Sequence, residues 1–197
     1  MRGPEYVRDV IRDMLAEMVP ARLAMILAEL EVDEPDPAEV SFVLADSLQE
    51  LSPDMLPVVA VRSPGFVDEE RAGSTAWLPQ YDISVLVGCD LRVFGTEGHD
   101  RAGRARDRLL RAVRESVLSV HGIDNSGADG DVEFLRKRGN RARMGAGDPQ
   151  TLAGLALSVG TYEFQVRVTE VLVPLVPLEP VEAVDLGVSG VDASQSV

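Results

Sequence analysis

The chain has 197 residues, 45% of them apolar, and a formal net charge of −14 at pH 7. That length and apolar content can bury one α/β-sized core with extensions and argue against wholesale disorder. The acidity speaks against a plain DNA-binding domain, no apolar run is long enough to span a bilayer, and one cysteine with two histidines leaves no thiolate zinc site.

In chain order, Val7, Val10, Ile11, Met14, Leu15 and Met18 recur at helical spacing, with Arg8, Asp9, Arg12, Asp13 and Glu17 on the other face. This N-terminal stretch lacks the uninterrupted apolar region of a signal peptide, so the chain is expected to be cytosolic when made. Pro20 either kinks the helix or opens a second one. Residues 21–30 (ARLAMILAEL) are apolar nearly all round. At about 15 Å of helix they need cover from this subunit or from another. After an acidic break, Asp36 followed by Pro37 has the form of an N-cap with proline in the first turn, predicting a helix to about Leu51.

Residues 57–62 (PVVAVR) are short, apolar and β-branched, the signature of a buried strand. Residues 63–79, with DEERAGS at their centre, read as an exposed mobile loop. A long strand follows over 81–94: Tyr81, Ile83, Val85, Val87, Cys89, Leu91 and Val93 alternate with a set that includes Asp82, Ser84, Asp90 and Arg92. A second amphipathic helix opens at His99-Asp100 and runs to about Val120. Ala102, Ala105, Leu109, Val113 and Val117 fall on one face and Arg101, Arg104, Arg108, Arg111 and Arg114 on the rest, with Gly122 as a stop. Beyond a Gly/Asp-rich loop come a short apolar piece (132–135), a basic loop (136–143, RKRGNRAR) and a closing strand (155–173). In that strand Tyr162, Phe164, Val166 and Val168 share one face. After Glu170 the apolar phase shifts to Val171 and Val173, which predicts a bulge or the end of pairing. The tail from Pro174 mixes proline with apolar residues and is expected to be extended or disordered when alone.

This order predicts an α+β fold, a mostly antiparallel β-sheet with helices packed on one face. It divides into an N-terminal helical segment (1–52), an α+β domain (53–173) and a Pro-rich extended tail (174–197).

Chemistry is sparse. No GxGxxG, P-loop, GxSxG or HExxH pattern stands in the required context. Asp124, Asp129 and Asp131 lack the spacing and closing Glu of a calcium loop. His99 is a lone imidazole, and Cys89 reads as a buried bystander. The expectation is therefore a protein without catalytic residues, cofactor or metal. Charge segregation stands out instead: eleven of the nineteen basic residues lie between Arg101 and Arg143, whereas residues 1–71 carry sixteen acids against six bases. Complementary faces of this kind suit a subunit that meets neighbours. The basic loop is readable as a partner contact, a solvated loop or a contact to nucleic-acid phosphates. With no interleaved aromatics, base stacking is not expected.

Over about residues 55–173, the sequence of short apolar strand (PVVAV), polar loop, long alternating strand, single amphipathic helix, loop and final long strand resembles the tail terminator proteins of long non-contractile-tailed, lambda-like bacteriophages. The extra helical stretch near 20–51 and the Pro-rich tail depart from that pattern. The resemblance implies a non-enzymatic virion protein at the neck, assembled in the host cytoplasm. It would form a hexameric ring that caps the tail tube, stops its polymerisation and joins the tail to the head-side connector. Implied partners are other copies of the chain, the tail tube protein and the connector proteins, with genomic DNA passing through the lumen and no membrane involved. Arg136, Lys137, Arg138, Arg141 and Arg143, with Asp68, Glu69, Glu70 and Arg71 in the acidic loop, are the expected intersubunit or partner contacts. The alternatives are another neck component, such as a stopper or tail-completion protein, and a soluble ligand-binding α+β domain.

Overall fold

The computed structural model describes residues 3–32, 39–47, 50–62, 65–71, 76–90, 98–120, 122–123, 132–135, 143–146, 150–152 and 155–171. Its first element is one continuous helix, α1 (Gly3–Glu29), which passes straight through Pro20. Pro20 deprives the Ala16 carbonyl of its partner, but both residues are exposed and water reaches that carbonyl. An interior proline costs about 3 kcal/mol. Val7, Ile11, Leu15 and Val19 are fully buried on the opposite face, and each such side chain contributes about 1.5–3 kcal/mol. Packing outweighs the break.

The helix ends in a two-bond reversal in which the Val32 amide donates to the Leu27 carbonyl and the Glu31 amide to the Ala28 carbonyl. Glu31 takes the left-handed conformation this needs, at φ 49°, a position that usually falls to glycine.

The helix expected over 37–51 is not formed. Residues 41–44 are a strand, β1 (Ser41–Leu44), lying parallel to β2 (Val58–Val61) from Ser41↔Val58 to Leu44↔Val61. Phe42 and Val43 suit a pleated surface better than a helix, and the fully buried β2 offers an edge for them. A single-turn 3₁₀ helix (Pro53–Met55) lies in the connection between the two strands.

The loop expected over 63–79 is also corrected. Residues 65–71 form β3 (Gly65–Arg71), and β4 (Ala76–Asp90) begins five residues before the alternation becomes clear in the sequence. The two pair antiparallel from Gly65↔Asp82 to Arg71↔Trp77. β4 is long enough to serve as a template for acids that would not form a strand alone.

The second helix, α2 (Gly98–Ser119), is followed by β5 (Gly122–Ile123), β6 (Val132–Phe134), β7 (Arg143–Ala146), β8 (Gln150–Leu152), β9 (Leu155–Val168) and β10 (Glu170–Val171). All ten strands belong to one mixed, mostly antiparallel sheet whose main path is β1-β2-β4-β9-β6-β5. Its spine is the β4–β9 pair, continuous from Gln80↔Arg167 to Asp90↔Leu157. β2 and β3 share the other edge of β4, at opposite ends of it. β6, β7 and β8 occupy the far edge of β9 in turn.

Both helices pack on one face, as the α+β reading requires. There Val59, Val61, Ile83, Val85, Val87, Tyr162, Phe164 and Val166 meet the apolar stripes of α1 and α2. The other face is apolar only towards the β1–β2 end, where Val58, Ala60, Leu86, Leu157 and Val159 lie under Ala45, Leu51 and Leu56 of the β1–β2 connection. Gly88 belongs to this patch: a Cβ there would sit 3.2 Å from a Val58 methyl, so its bare backbone lets Val58 and Leu56 close over the sheet. Further along, the same face is polar, and Gln165 donates to Asp82 across the β4–β9 pair at 2.7 Å.

Candidate assembly interface

β3 follows β4 for seven residues and every one of them is exposed. Among the described residues it pairs with β4 alone, so its outer edge presents backbone groups to solvent. Asp68, Glu69, Glu70 and Arg71 all lie here, on a strand and not in the loop expected from composition. Local bonds shape them. The register skips Val67, which makes a bulge between Phe66 and Asp68. The Glu69 amide is held by its neighbour, donating to Asp68 Oδ1 at 2.8 Å. Arg71 lies over the Trp77 ring, 5.7 Å from its centroid. Phe66 rests edge-on against Tyr81 at 6.1 Å and is still 62% exposed, and Val67 is 43% exposed. The strand thus offers an apolar end and an acidic stretch side by side.

The basic candidates divide differently. Arg136, Lys137, Arg138 and Arg141 lie outside the described residues, as do Asp124, Asp129 and Asp131. Arg143 is placed by its backbone as the first residue of β7, opposite Glu163 of β9. Residues 136–142 therefore join the far edge of β9 at the end of β6 to the same edge at the start of β7. Of the basic candidates only Arg143 is placed, across β9 and β4 from the acids of β3. Two arginines of α2 are engaged inside the chain: Arg106 donates to Ser158 Oγ at 3.1 Å, and Arg111 bridges Glu115 at 2.7 Å and Glu29 of α1 at 2.8 Å.

One polar cluster escapes the sequence reading. The register of β9 on β4 carries through into β10, with Glu170↔Trp77 in line with Arg167↔Gln80; the phase shift expected after Glu170 rests on Val173, outside the described residues. Glu170 takes the inward position after Val168 and is 4% exposed. Its Oε1 accepts a hydrogen bond from the Gly3 amide at 3.3 Å, at the positive end of α1. The Tyr81 hydroxyl is bonded to the same carboxylate. Burial, then the charges of Glu170 and Glu69, push the Tyr81 phenol up to about 12. The signal was present in the sequence: the period of two set by Tyr162, Phe164, Val166 and Val168 reaches Glu170 if polarity is ignored.

Chemically the site suits recognition. Among the described residues no three His, Cys, Asp or Glu side chains gather as a metal site, and no helix is long and apolar enough to cross a membrane. Cys89 is a buried thiol in the middle of the sheet. A second uncovered area lies at the C-terminal end of α1, where Met25 is 62% exposed and Leu30, the residue after the helix, 49%. Compared with known proteins, the chain matches no family model and no curated protein.

Proposed function

We propose that the chain is a structural subunit that works by assembling with its own copies, as a tail terminator whose ring caps a phage tail tube and joins it to the head-side connector. The observation that carries this reading is β3: seven residues, all exposed, paired on one side and bearing both an apolar end and a run of acids. A strand left in that state is a site for another chain. The uncovered Met25 of α1 and Leu30 just after it add apolar surface of the kind that lies against a neighbour. The order of α1, β2, β4, α2 and β9 supports the resemblance drawn from sequence.

In this reading one surface of the ring copies the next layer of tube subunits and binds the tube end. The opposite surface lacks the addition site, so polymerisation stops there. An acidic subunit leaves DNA phosphates without attraction to the lumen.

Light scattering over a concentration series, paired with sedimentation on purified tail tubes, tests the reading. The expected outcome is a species of six times 21.3 kDa, about 128 kDa, or its formation on tube ends. A chain that stays monomeric and ignores tail tubes would refute the terminator role.

A further inference from the structure

We infer that the outer edge of β3 takes up an extended, arginine- or lysine-rich segment of a partner protein as an added strand. The inference rests on the assembly reading above and names the chemistry of the partner at that edge.

The register shows how the charges are laid out. Residues opposite each other in a ladder share a face of the sheet. Phe66 stands opposite Tyr81, Glu69 opposite Pro79 and Arg71 opposite Trp77, so these three belong to the face that carries the helices. Asp68 stands opposite Gln80 and Glu70 opposite Leu78, on the other face. The acids therefore flank the edge on both sides of the sheet. A strand added there turns its successive residues to alternate faces, so consecutive cations in the partner meet Asp68, Glu69 and Glu70 in turn.

The same layout selects against other occupants. A metal ion needs ligands that converge, and these carboxylates are split between two faces; no cluster of that kind forms among the described residues. Nucleic-acid phosphates are repelled by the acids. A second β3 edge would set acid against acid, which is how edge strands reject their own kind.

The edge is ready for a strand. All seven residues of β3 are exposed, and among the described residues β3 pairs with β4 alone. From Asp68 to Arg71 the pairing runs unbroken opposite Gln80 to Trp77, which holds about 14 Å of backbone extended. Before that run, the bulge at Val67 turns the strand. Phe66 and Val67, both exposed there, offer an apolar step where the charged run of the partner ends. The Glu69 amide is taken by Asp68 Oδ1, so the ladder is short and opposite charge selects which strand joins it.

Two synthetic peptides test this on the full-length protein. One is a short labelled peptide with consecutive arginines between valines. The other has the same side chains but methylated central backbone amides, so it keeps the charge and cannot pair as a strand. Fluorescence anisotropy at low salt should show saturable binding of the first and at least tenfold weaker binding of the second. The first should also bind at least tenfold more weakly to a variant carrying Glu69→Arg and Glu70→Arg. Asp68 is kept because its side chain holds the Glu69 amide, and a circular dichroism melt checks that the variant folds. Hydrogen exchange of the wild type should slow over residues 65–71 when the first peptide is added, a readout that needs no substitution. Equal binding of both peptides would reduce the contact to attraction by a chain of charge −14 and overturn the strand pairing. Binding that survives the charge reversal lies elsewhere and overturns the site. Absence of binding overturns the proposal too: β3 amides protected at every concentration mean an edge filled within the subunit, and protection that grows with concentration means that a second copy fills it. Ring formation and tail-tube sedimentation are measured separately, so either reading can fail while the other stands.

Discussion

The two parts of α1 on either side of Pro20 differ in a way that hydropathy alone inverts. The part before the proline is studded with charges, yet it buries Val7, Ile11, Met14, Leu15 and Val19. The part after it is apolar nearly all round, yet only Ile26 is buried, and Met25 and, just past the helix, Leu30 project into solvent. An alternating pattern specifies which side meets the sheet, so the first part docks fully. An all-apolar pattern specifies no side. The second part runs beside α2, tied there by Arg111 and Glu29; Leu23 packs partly buried against the core, while Met25 is left uncovered. Its apolar residues serve the subunit's neighbours under the assembly reading.

The sharpest way to break this comparison is to truncate one residue from each part. Leu15→Ala opens a cavity under α1 and should cost about 2–5 kcal/mol in urea unfolding. Met25→Gln, at an exposed helical position, should leave stability within about 0.5 kcal/mol but reduce self-association or tail joining. Equal losses of stability in both would mean that the second part is covered within the subunit.

The next effect in size concerns the start of the helix. Glu170→Ala removes the acceptor for the Gly3 amide and for the Tyr81 hydroxyl. It should cost about 1–3 kcal/mol, the penalty for leaving such a buried group unpaired. Hydrogen exchange should quicken in the first turn of α1 and leave α2 unchanged. Uniform protection across both helices would show that Glu170 does not anchor α1.

A pH series reads the same cluster through Tyr81. Its phenol titrates near 10 when unfolded and about 12 when folded. Folding therefore favours the protonated form. That contribution is complete below pH 10 and is lost as the pH rises from 10 to 12. Urea midpoints should fall across that window in the wild type. Tyr81→Phe should flatten the part of the slope due to this residue, and an unchanged slope would exclude Tyr81 as its source.

What the sequence made legible was whatever repeats. The period-two runs of β4 and β9 and the helical stripe of α2 (Ala102, Ala105, Leu109, Val113, Val117) are matched by the burial observed. Elements formed by pairing were harder to read. β1 follows a sound local helix signal at Asp36-Pro37, but Phe42 and Val43 are claimed by the edge of β2 seventeen residues away. β3 has the composition of a loop, and only the early start of β4 makes it a strand. The acids of the candidate interface were visible as acids; their place on an open edge was not, because an edge is a property of the whole sheet. Glu170 was not read as a core position because a carboxylate there runs against the pattern that identifies cores. It is tolerated where a helix terminus and a phenol meet it.

The smallest effect lies at the other end of α1. The reversal after Glu29 is closed by bonds from Val32 to Leu27 and from Glu31 to Ala28, and Glu31 holds its left-handed conformation at φ 49° without the freedom of a glycine. A side chain there costs about 1 kcal/mol, and a carboxylate beside the negative end of the helix adds repulsion. Glu31→Gly should relieve both and stabilise the subunit by about 0.5–1 kcal/mol, reduced by the extra freedom glycine gives the unfolded chain. Glu31→Ala separates the two causes, since it removes the charge and keeps the strain. If alanine recovers as much stability as glycine, the penalty at this turn is electrostatic. If only glycine recovers it, the backbone is strained where the buried and uncovered parts of α1 give way to β1.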